Sequence, residues 1–356
     1  MLLFFINTFD MKKYFQLLLF VIISSQIFAQ QKKYFINIQQ VSDQQKVIIN
    51  VNDQSFTEFI FPDSLEKPVL FPIYAPDGNL VTRGFPLAPR AGEPTDHPHH
   101  FGLWFNYEKV NGLDFWNNSY NIPADKKHLY GWIRTNNITQ TKSGEKGLLT
   151  YNANWTDQQK NILLIESTTF IFSANSNERI IDRTTTLIAQ QDVFFEDTKD
   201  GMLGLRIAHE LELPIKDERQ FIDDKGNITK VAVSDNSAVT GNYLTSEGKQ
   251  GDSAWGTRAK WCLLYGKKNN DTISIAIIDN PQNPGYPTFW HARGYGLFAA
   301  NTLGQKIFSN GKLELNFKLK KGESATFRYR IVIASGKQKI SIDRINKLSD
   351  EFAKVK

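Results

Sequence analysis

"NILLIESTTFIFSANSNERIIDRTTTLIA", Asn161 to Ala189, is two runs rich in Ile, Thr and Phe either side of the turn-prone Ser173–Asn177, and it reads as a pair of strands. The same period of two recurs along the chain. "KLELNFKLK" (Lys312–Lys320) alternates apolar and polar residues without a fault, and "ATFRYRIVIA" (Ala325–Ala334) does nearly so. "TISIAIID" (Thr272–Asp279) reads as a more buried strand, and Gly, Asn, Asp and Pro punctuate the intervals between such runs. Helical spacing appears only at the C-terminus, where Ile342, Ile345, Leu348, Phe352 and Val355 predict a short amphipathic helix packed on the outside. Many strands with little helix predict an all-β fold: one large antiparallel β-sandwich over residues 30–356, closed by that helix.

Composition agrees with a folded domain. Of 356 residues, 41% are hydrophobic, enough to bury a large core, and 22% are charged, close to the globular average. A net charge of +5 without a Lys/Arg stripe argues against nucleic acid as a partner. No phosphate loop, dinucleotide fingerprint or nucleophile elbow is present, and no cofactor is expected.

The N-terminus carries "MKKYFQLLLFVIISSQIFAQ": a basic pair, Lys12 and Lys13, then an apolar run from Leu17 to Ile23, then small residues to Ala29. That is the layout of a secretory signal peptide cleaved after Ala29, with residues 1–10 as an upstream extension. The run is too short to span a bilayer, so a periplasmic or secreted protein without a membrane span in its mature form is expected, a retained anchor being the rival. The single cysteine, Cys262, has no internal partner and reads as a buried thiol.

Histidines mark the candidate chemistry. "TDHPHHFGLWFNYEKVNGLDFW" (Thr95–Trp116) holds three of the six within four positions. Pro98 is expected to keep His97 extended on a rim segment. A strand beginning at His99 puts His99, Phe101, Leu103 and Phe105 on one face, with His100, Gly102, Trp104 and Asn106 on the other. His100 with Trp104 is then the pair facing a cleft, and Trp104 or Trp116 offers a face to a sugar. In "LRIAHELEL" (Leu205–Leu213) alternation groups His209 with Ile207, Leu211 and Leu213, against Arg206, Ala208, Glu210 and Glu212. His209 therefore reads as a core histidine, whereas Arg206 and Glu210 are cleft candidates or an ordinary ion pair. In "FWHARGYGLFAANTLG" (Phe289–Gly304), His291, Arg293 and Tyr295 share a face, and Gly294 and Gly296 leave a strip open to close approach. A metal alternative uses the H-x-H spacing of His97 and His99 with His209, Glu210 or His291 as third ligand.

These motifs resemble the DUF6807 family, whose members often carry the label "methane oxygenase PmoA". The similarity continues through "PIYAPDGNLVTRGFP", "DTKDGMLGLRIAHEL", the Trp255–Trp261 segment and "KGESATFRYRIVI", covering Phe71 to Gly336. The label names a subunit of a membrane-embedded copper enzyme. This sequence has no set of spanning helices beyond its leader, so that activity is not carried over. Members of the family resemble galactose-mutarotase-like sandwiches and occur beside sugar dehydrogenases and isomerases in polysaccharide-degrading bacteria, which implies a carbohydrate ligand.

Three functions stay open on this footing. One is an exported enzyme acting on a sugar or glycoside by epimerisation, elimination or hydrolysis. Glu210, His100 and His291 would move protons there, Arg83, Arg206 and Arg293 would clamp substrate oxygens, and Trp104, Trp116 and Tyr295 would line the site. The second is a non-catalytic carbohydrate-binding protein, and the third a metal-dependent enzyme using His97, His99 and His209.

Overall fold

The computed structural model describes residues 33–216, 218–223, 225–231 and 236–355, so the leader and its cleavage point lie outside the described residues. The expected hairpin forms as β8 (Ile162–Ala174) and β9 (Glu178–Ala189), antiparallel, with Leu164 opposite Ala189 and Ala174 opposite Arg179. It lies in an eight-stranded sheet ordered β14 (Asn242–Thr245), β15 (Trp261–Lys268), β16 (Asp271–Asp279), β20 (Ser324–Gly336), β9, β8, β7 (Gly147–Thr156) and β6 (Trp132–Lys142). A second eight-stranded sheet runs β1 (Ile36–Val41), β2 (Lys46–Val51), β3 (Gln54–Ile60), β4 (Val69–Ile73), β5 (Leu103–Tyr107), β11 (Gly201–Arg206), β18 (Leu297–Asn301) and β17 (Phe289–Ala292). Two-stranded pieces pair β10 (Val193–Phe194) with β19 (Lys318–Leu319), and β12 (Arg219–Ile222) with β13 (Ile228–Val231). Tyr34–Lys356 forms one compact unit. The large antiparallel sandwich expected from the strand signals is the architecture of the chain.

Alternation explains how the sheets meet. Inward residues of one sheet touch those of the other: Phe56 lies 5.8 Å from Phe172, Phe59 4.5 Å from Tyr151, and Phe105 6.3 Å from Trp155. Each such ring removed from water contributes about 1.5–3 kcal/mol. The same alternation also turns Glu166 and Arg183 into the core. Glu166 accepts hydrogen bonds from Tyr151, Trp155, Thr168 and Arg183, all at 2.7–2.8 Å, so the buried charge is fully partnered.

The C-terminal helix sits where its periodicity places it. Short helix α1 (Gln305–Phe308) precedes it, and α2 (Ile342–Phe352) buries Ile345, Leu348 and Phe352 against Trp261, Leu263, Ile278 and Val332 on the sheet's outer side. Ser341 caps its first turn through the amide of Arg344.

One strand is shorter than its pattern. Of "KLELNFKLK" only Lys318–Leu319 pairs. The carboxylate of Asp197 takes the amides of Leu315 and Asn316 at 2.8 and 2.9 Å, and Asn316 turns to φ 47°, so the alternating residues before Phe317 run outside any ladder.

The outer face of the β4–β5–β11–β18 region carries its own apolar cluster of Val69, Phe71, Phe101, Trp104, Trp116, Leu297 and Ala299. Trp104 lies flat on the neighbouring strand at Gly204, where an added Cβ would stand 2.4 Å from its Cζ2. Arg206, two residues along the same strand face, emerges beside this cluster. The histidine-rich loop folds over it.

Candidate active site

The loop is organised by Arg83, whose side chain is fully buried. Its Nη1 donates to the carbonyls of Pro94 and Asp96 and to Asp96 Oδ1 (3.2, 2.8 and 2.7 Å), and its Nη2 donates to the carbonyls of His97 and His100 (3.1 and 2.9 Å). A guanidinium with fixed donors thus winds residues 94–100 around itself. Burial and the neighbouring Arg206 pull its pKa down to about 9. The chain closes a turn through His100 N to His97 O at 2.9 Å. His97 is consequently left-handed, at φ 47°, and not extended as Pro98 suggested; the tertiary grip of Arg83 overrides the local preference.

Strand β5 starts only at Leu103, so strand alternation does not set the directions of His99 and His100. His100 reaches Trp104 through the loop. A continuous stack results: Tyr295 on His97 (4.8 Å, 5°), His97 on His100 (5.0 Å, 6°), and His100 on Trp104 (5.4 Å, 19°). Trp116 Nε1 donates to His100 Nε2 at 3.1 Å, which fixes the His100 proton on Nδ1. Burial pushes the pKa values of His99 and His100 well below the ordinary value, helped next by Lys67 at His99 and by the neighbouring imidazoles at His100. Lys67, under the loop, donates to His99 O at 2.8 Å, and burial brings its pKa down to about 8.

Asp96 and His97 form the wet end of the stack, with side chains 25% and 39% exposed. Asp96 Oδ1 is held by Arg83 at 2.7 Å and Arg206 at 2.6 Å, with Arg219 at 3.4 Å, while Oδ2 faces His97 Nδ1 at 3.0 Å. Burial alone would favour the neutral acid. Arg206, the His97 ring, Arg83 and Arg219 outweigh it and hold Asp96 well below the usual carboxylate range. An ionised carboxylate only accepts, so Nδ1 of His97 is the donor, and in the neutral ring Nε2 carries the lone pair. Behind this pair, Glu212 takes Arg219 at 2.5 Å and His209 Nδ1 at 2.9 Å, and lies 3.7 Å from Arg206.

The residues singled out in the sequence therefore separate. Strand β11 ends at Arg206, and His209–Leu211 is a 3-10 turn, so His209 does not point with Ile207 and Leu213 but binds Glu212. Glu210 pairs with Lys268, whose bonds outweigh burial and lower its pKa; both line a separate cavity of about 530 Å³ with His209, Arg90 and Glu93. Strand β17 ends at Ala292, which breaks the expected face of His291, Arg293 and Tyr295. His291 is buried against Lys199 O (3.1 Å), Asp200 (3.2 Å) and Phe308, whereas Tyr295, in the turn beyond Ala292, stacks on His97. Close approach at Gly296 is made by Glu212: a Cβ there would meet its Oε1 at 2.7 Å. Exposed Arg293 lies over the rings of Tyr295 (5.7 Å) and half-exposed Trp255 (5.5 Å). Trp104 and Trp116 are wholly buried, their faces taken by His100 and each other. The structure thus gathers Arg83, Arg206, Arg293, Tyr295, His97, His99, His100, Trp104 and Trp116 in one region and leaves Glu210 and His291 outside it. Among the described residues no group of three or more His, Cys, Asp or Glu side chains is arranged to hold a metal ion, and His209 is engaged by Glu212.

Sequence reasoning overlooked Glu212, Arg219 and Trp255. Only Glu212 had a usable signal, since alternation put it on the face of Arg206.

The family model described as "Family of unknown function (DUF6807)" matches residues 46–350. The chain belongs to the DUF6807 family. No curated protein matches its sequence. Solved structures that resemble this family member include a GH36 α-galactosidase from Geobacillus stearothermophilus (11% identity, TM-score 0.37, 85% of this chain) and a galactose mutarotase-like protein from Clostridium acetobutylicum (10%, 0.37, 86%). The chain spans 41% of the former's length and 100% of the latter's. Resemblance at this level leaves the architecture to be judged from the strand order itself. Among the described residues no helix is long and apolar enough to cross a membrane.

Proposed function

We propose that this DUF6807 protein is an exported enzyme that acts on a sugar or glycoside by proton transfer, with His97 as the group that exchanges the proton. The supporting observation is the Asp96–His97 pair at the solvent end of the ring stack. With Nδ1–H given to Asp96, Nε2 takes a proton from a substrate hydroxyl or C–H, and the carboxylate 3.0 Å away stabilises the imidazolium that forms. Tyr295, Trp255 and Arg293 supply an apolar face and hydrogen-bond donors beside it, the mixture that a sugar's C–H faces and hydroxyls require.

Proton NMR of the full chain with a panel of mono- and disaccharides in D2O tests this. Exchange or product formation is expected with at least one sugar, and His97→Gln should slow it by about a hundredfold with the fold kept. Unchanged turnover in His97→Gln removes the assignment. The half-exposed Trp255 and Tyr295 also favour a second reading, sugar binding without chemistry, which predicts affinity with no exchange for any sugar in the panel. Export rests on the Met11–Ala29 layout, and N-terminal sequencing of the protein recovered from fractionated native cells tests it.

A further inference from the structure

We infer that the sugar taken at this site is acidic, a uronic acid or a glycoside ending in one, with its carboxylate at Arg293 and Tyr295. This rests on the sugar reading above and names the substrate class. Three arginines, Arg83, Arg206 and Arg219, converge on two carboxylates, Asp96 and Glu212, so the cluster of described residues carries one excess positive charge. Arg83 and Arg206 are wholly buried and the Arg219 side chain is 5% exposed, so solvent screens the excess poorly. The nearby Arg90–Glu93 and Lys268–Glu210 pairs are each balanced and do not offset it.

Hydrogen bonding points the same way. Arg206 spends Nη2 on Asp96, while its Nε and Nη1 find no acceptor among the described residues. Buried guanidinium N–H groups without acceptors are costly, so the charge of Arg206 is only partly compensated within the protein. The ring that covers this guanidinium is Tyr295, 5.2 Å from its Cζ, and Arg293 sits on the same ring at 5.7 Å. Arg293 is exposed, and no described carboxylate pairs with it; its contacts are the Tyr295 and Trp255 rings. A planar carboxylate suits the two-pronged donor geometry of Arg293 and is drawn by the buried excess behind it. The sugar ring attached to it then lies along Tyr295 towards His97.

The experiment is calorimetric titration of the full chain with matched pairs, galacturonate against galactose and glucuronate against glucose, at low and near-physiological salt. At least one uronate should bind about tenfold tighter than its neutral twin, with the preference shrinking as salt rises. Arg293→Gln, at an exposed position, should remove that preference, the uronate losing about tenfold more affinity than its neutral twin. Equal affinity within both pairs, a preference untouched by Arg293→Gln, or no binding of any of the four sugars overturns the inference. Neutral sugars turned over by wild type but not by His97→Gln, with no uronate bound more tightly than its twin, would remove it while sparing the proton-transfer proposal. A uronate preference in a protein whose His97→Gln variant turns over normally would do the reverse.

Discussion

Asp96 Oδ2 lies 3.0 Å from His97 Nδ1 although His97 occupies a left-handed backbone conformation, φ 47°, that a histidine seldom adopts. The arginines supply the reason. Arg83 holds the carbonyls on both sides of the His97 turn, and Arg206 holds the other oxygen of Asp96, so the backbone has no freedom to relax. Strain persisting in a charged, half-exposed loop is what a positioned proton-transfer group requires.

Asp96→Asn tests that coupling. The amide keeps one acceptor for the arginines but no longer fixes the His97 tautomer, and two buried guanidinium groups lose their counter-charge. Turnover is expected to fall as in His97→Gln, and stability by about 1–3 kcal/mol in urea unfolding, the partly exposed position moderating the loss. His97→Gln should leave stability nearly unchanged. If both variants unfold alike, the carboxylate does no more than the ring does.

Acid sensitivity should originate in the stack. His100 is neutral when folded, with its pKa well below 6.5, whereas the unfolded chain protonates it near 6.5. The unfolded state then binds more protons as the pH drops through 6.5, so His100 contributes stability that is present above that pH and lost below it. His100→Gln keeps an acceptor for Trp116 Nε1 and cannot titrate. Its stability curve should fall less steeply than wild type below pH 6.5, and parallel curves would dismiss His100 as the source.

Glu210 separates two assignments of the proton-transfer role. Its carboxylate is committed to Lys268 beside a cavity that contains neither His97 nor Tyr295. Glu210→Gln should change turnover by no more than about threefold, against the hundredfold or greater loss expected of a general base. A large loss would move the chemistry to that cavity.

Much of the fold was legible because it follows from local periodicity. The β8–β9 hairpin, the β16 and β20 strands and the C-terminal helix all lie where their apolar residues recur. The site was legible by composition and not by direction. Its residues sit where strands stop, at Arg206, Ala292 and just before Leu103, and beyond those ends alternation has no hold on a side chain. What aims them instead is pairing between segments far apart in sequence, such as Arg206 with Asp96 and Tyr295 with His97, which no local pattern encodes.

The core pair Glu166–Arg183 shows the same long-range logic inside the sandwich. Arg183 bonds Glu166 at 2.8 Å and lies 4.8 Å from the Phe105 ring of the opposing sheet. Glu166→Gln removes the charge and leaves Arg183 buried without a counter-ion, which should cost about 3–5 kcal/mol. The double change Glu166→Leu with Arg183→Met should recover most of that loss, since it removes both charges together. Failure to recover would mean that Tyr151, Trp155 and Thr168, stripped of their acceptor, dominate the cost.

Gly204→Ala ties the sandwich to the site. The new methyl would stand 2.4 and 2.5 Å from Cζ2 and Cε2 of Trp104, closer than packed atoms come, while Ala299 on the next strand limits sideways escape. The indole must lift, and His100 and His97, stacked above it, must move with it. A loss of about 1–3 kcal/mol is expected from the overpacking, with a changed tryptophan fluorescence spectrum and reduced turnover although no residue of the Asp96–His97 pair is altered. Gly144→Ala, where an added Cβ meets nothing closer than 3.4 Å, is the matching control and should be silent. A Gly204→Ala protein with wild-type stability and turnover would show that Trp104 moves independently of the imidazoles, and the stack would then have no part in holding His97.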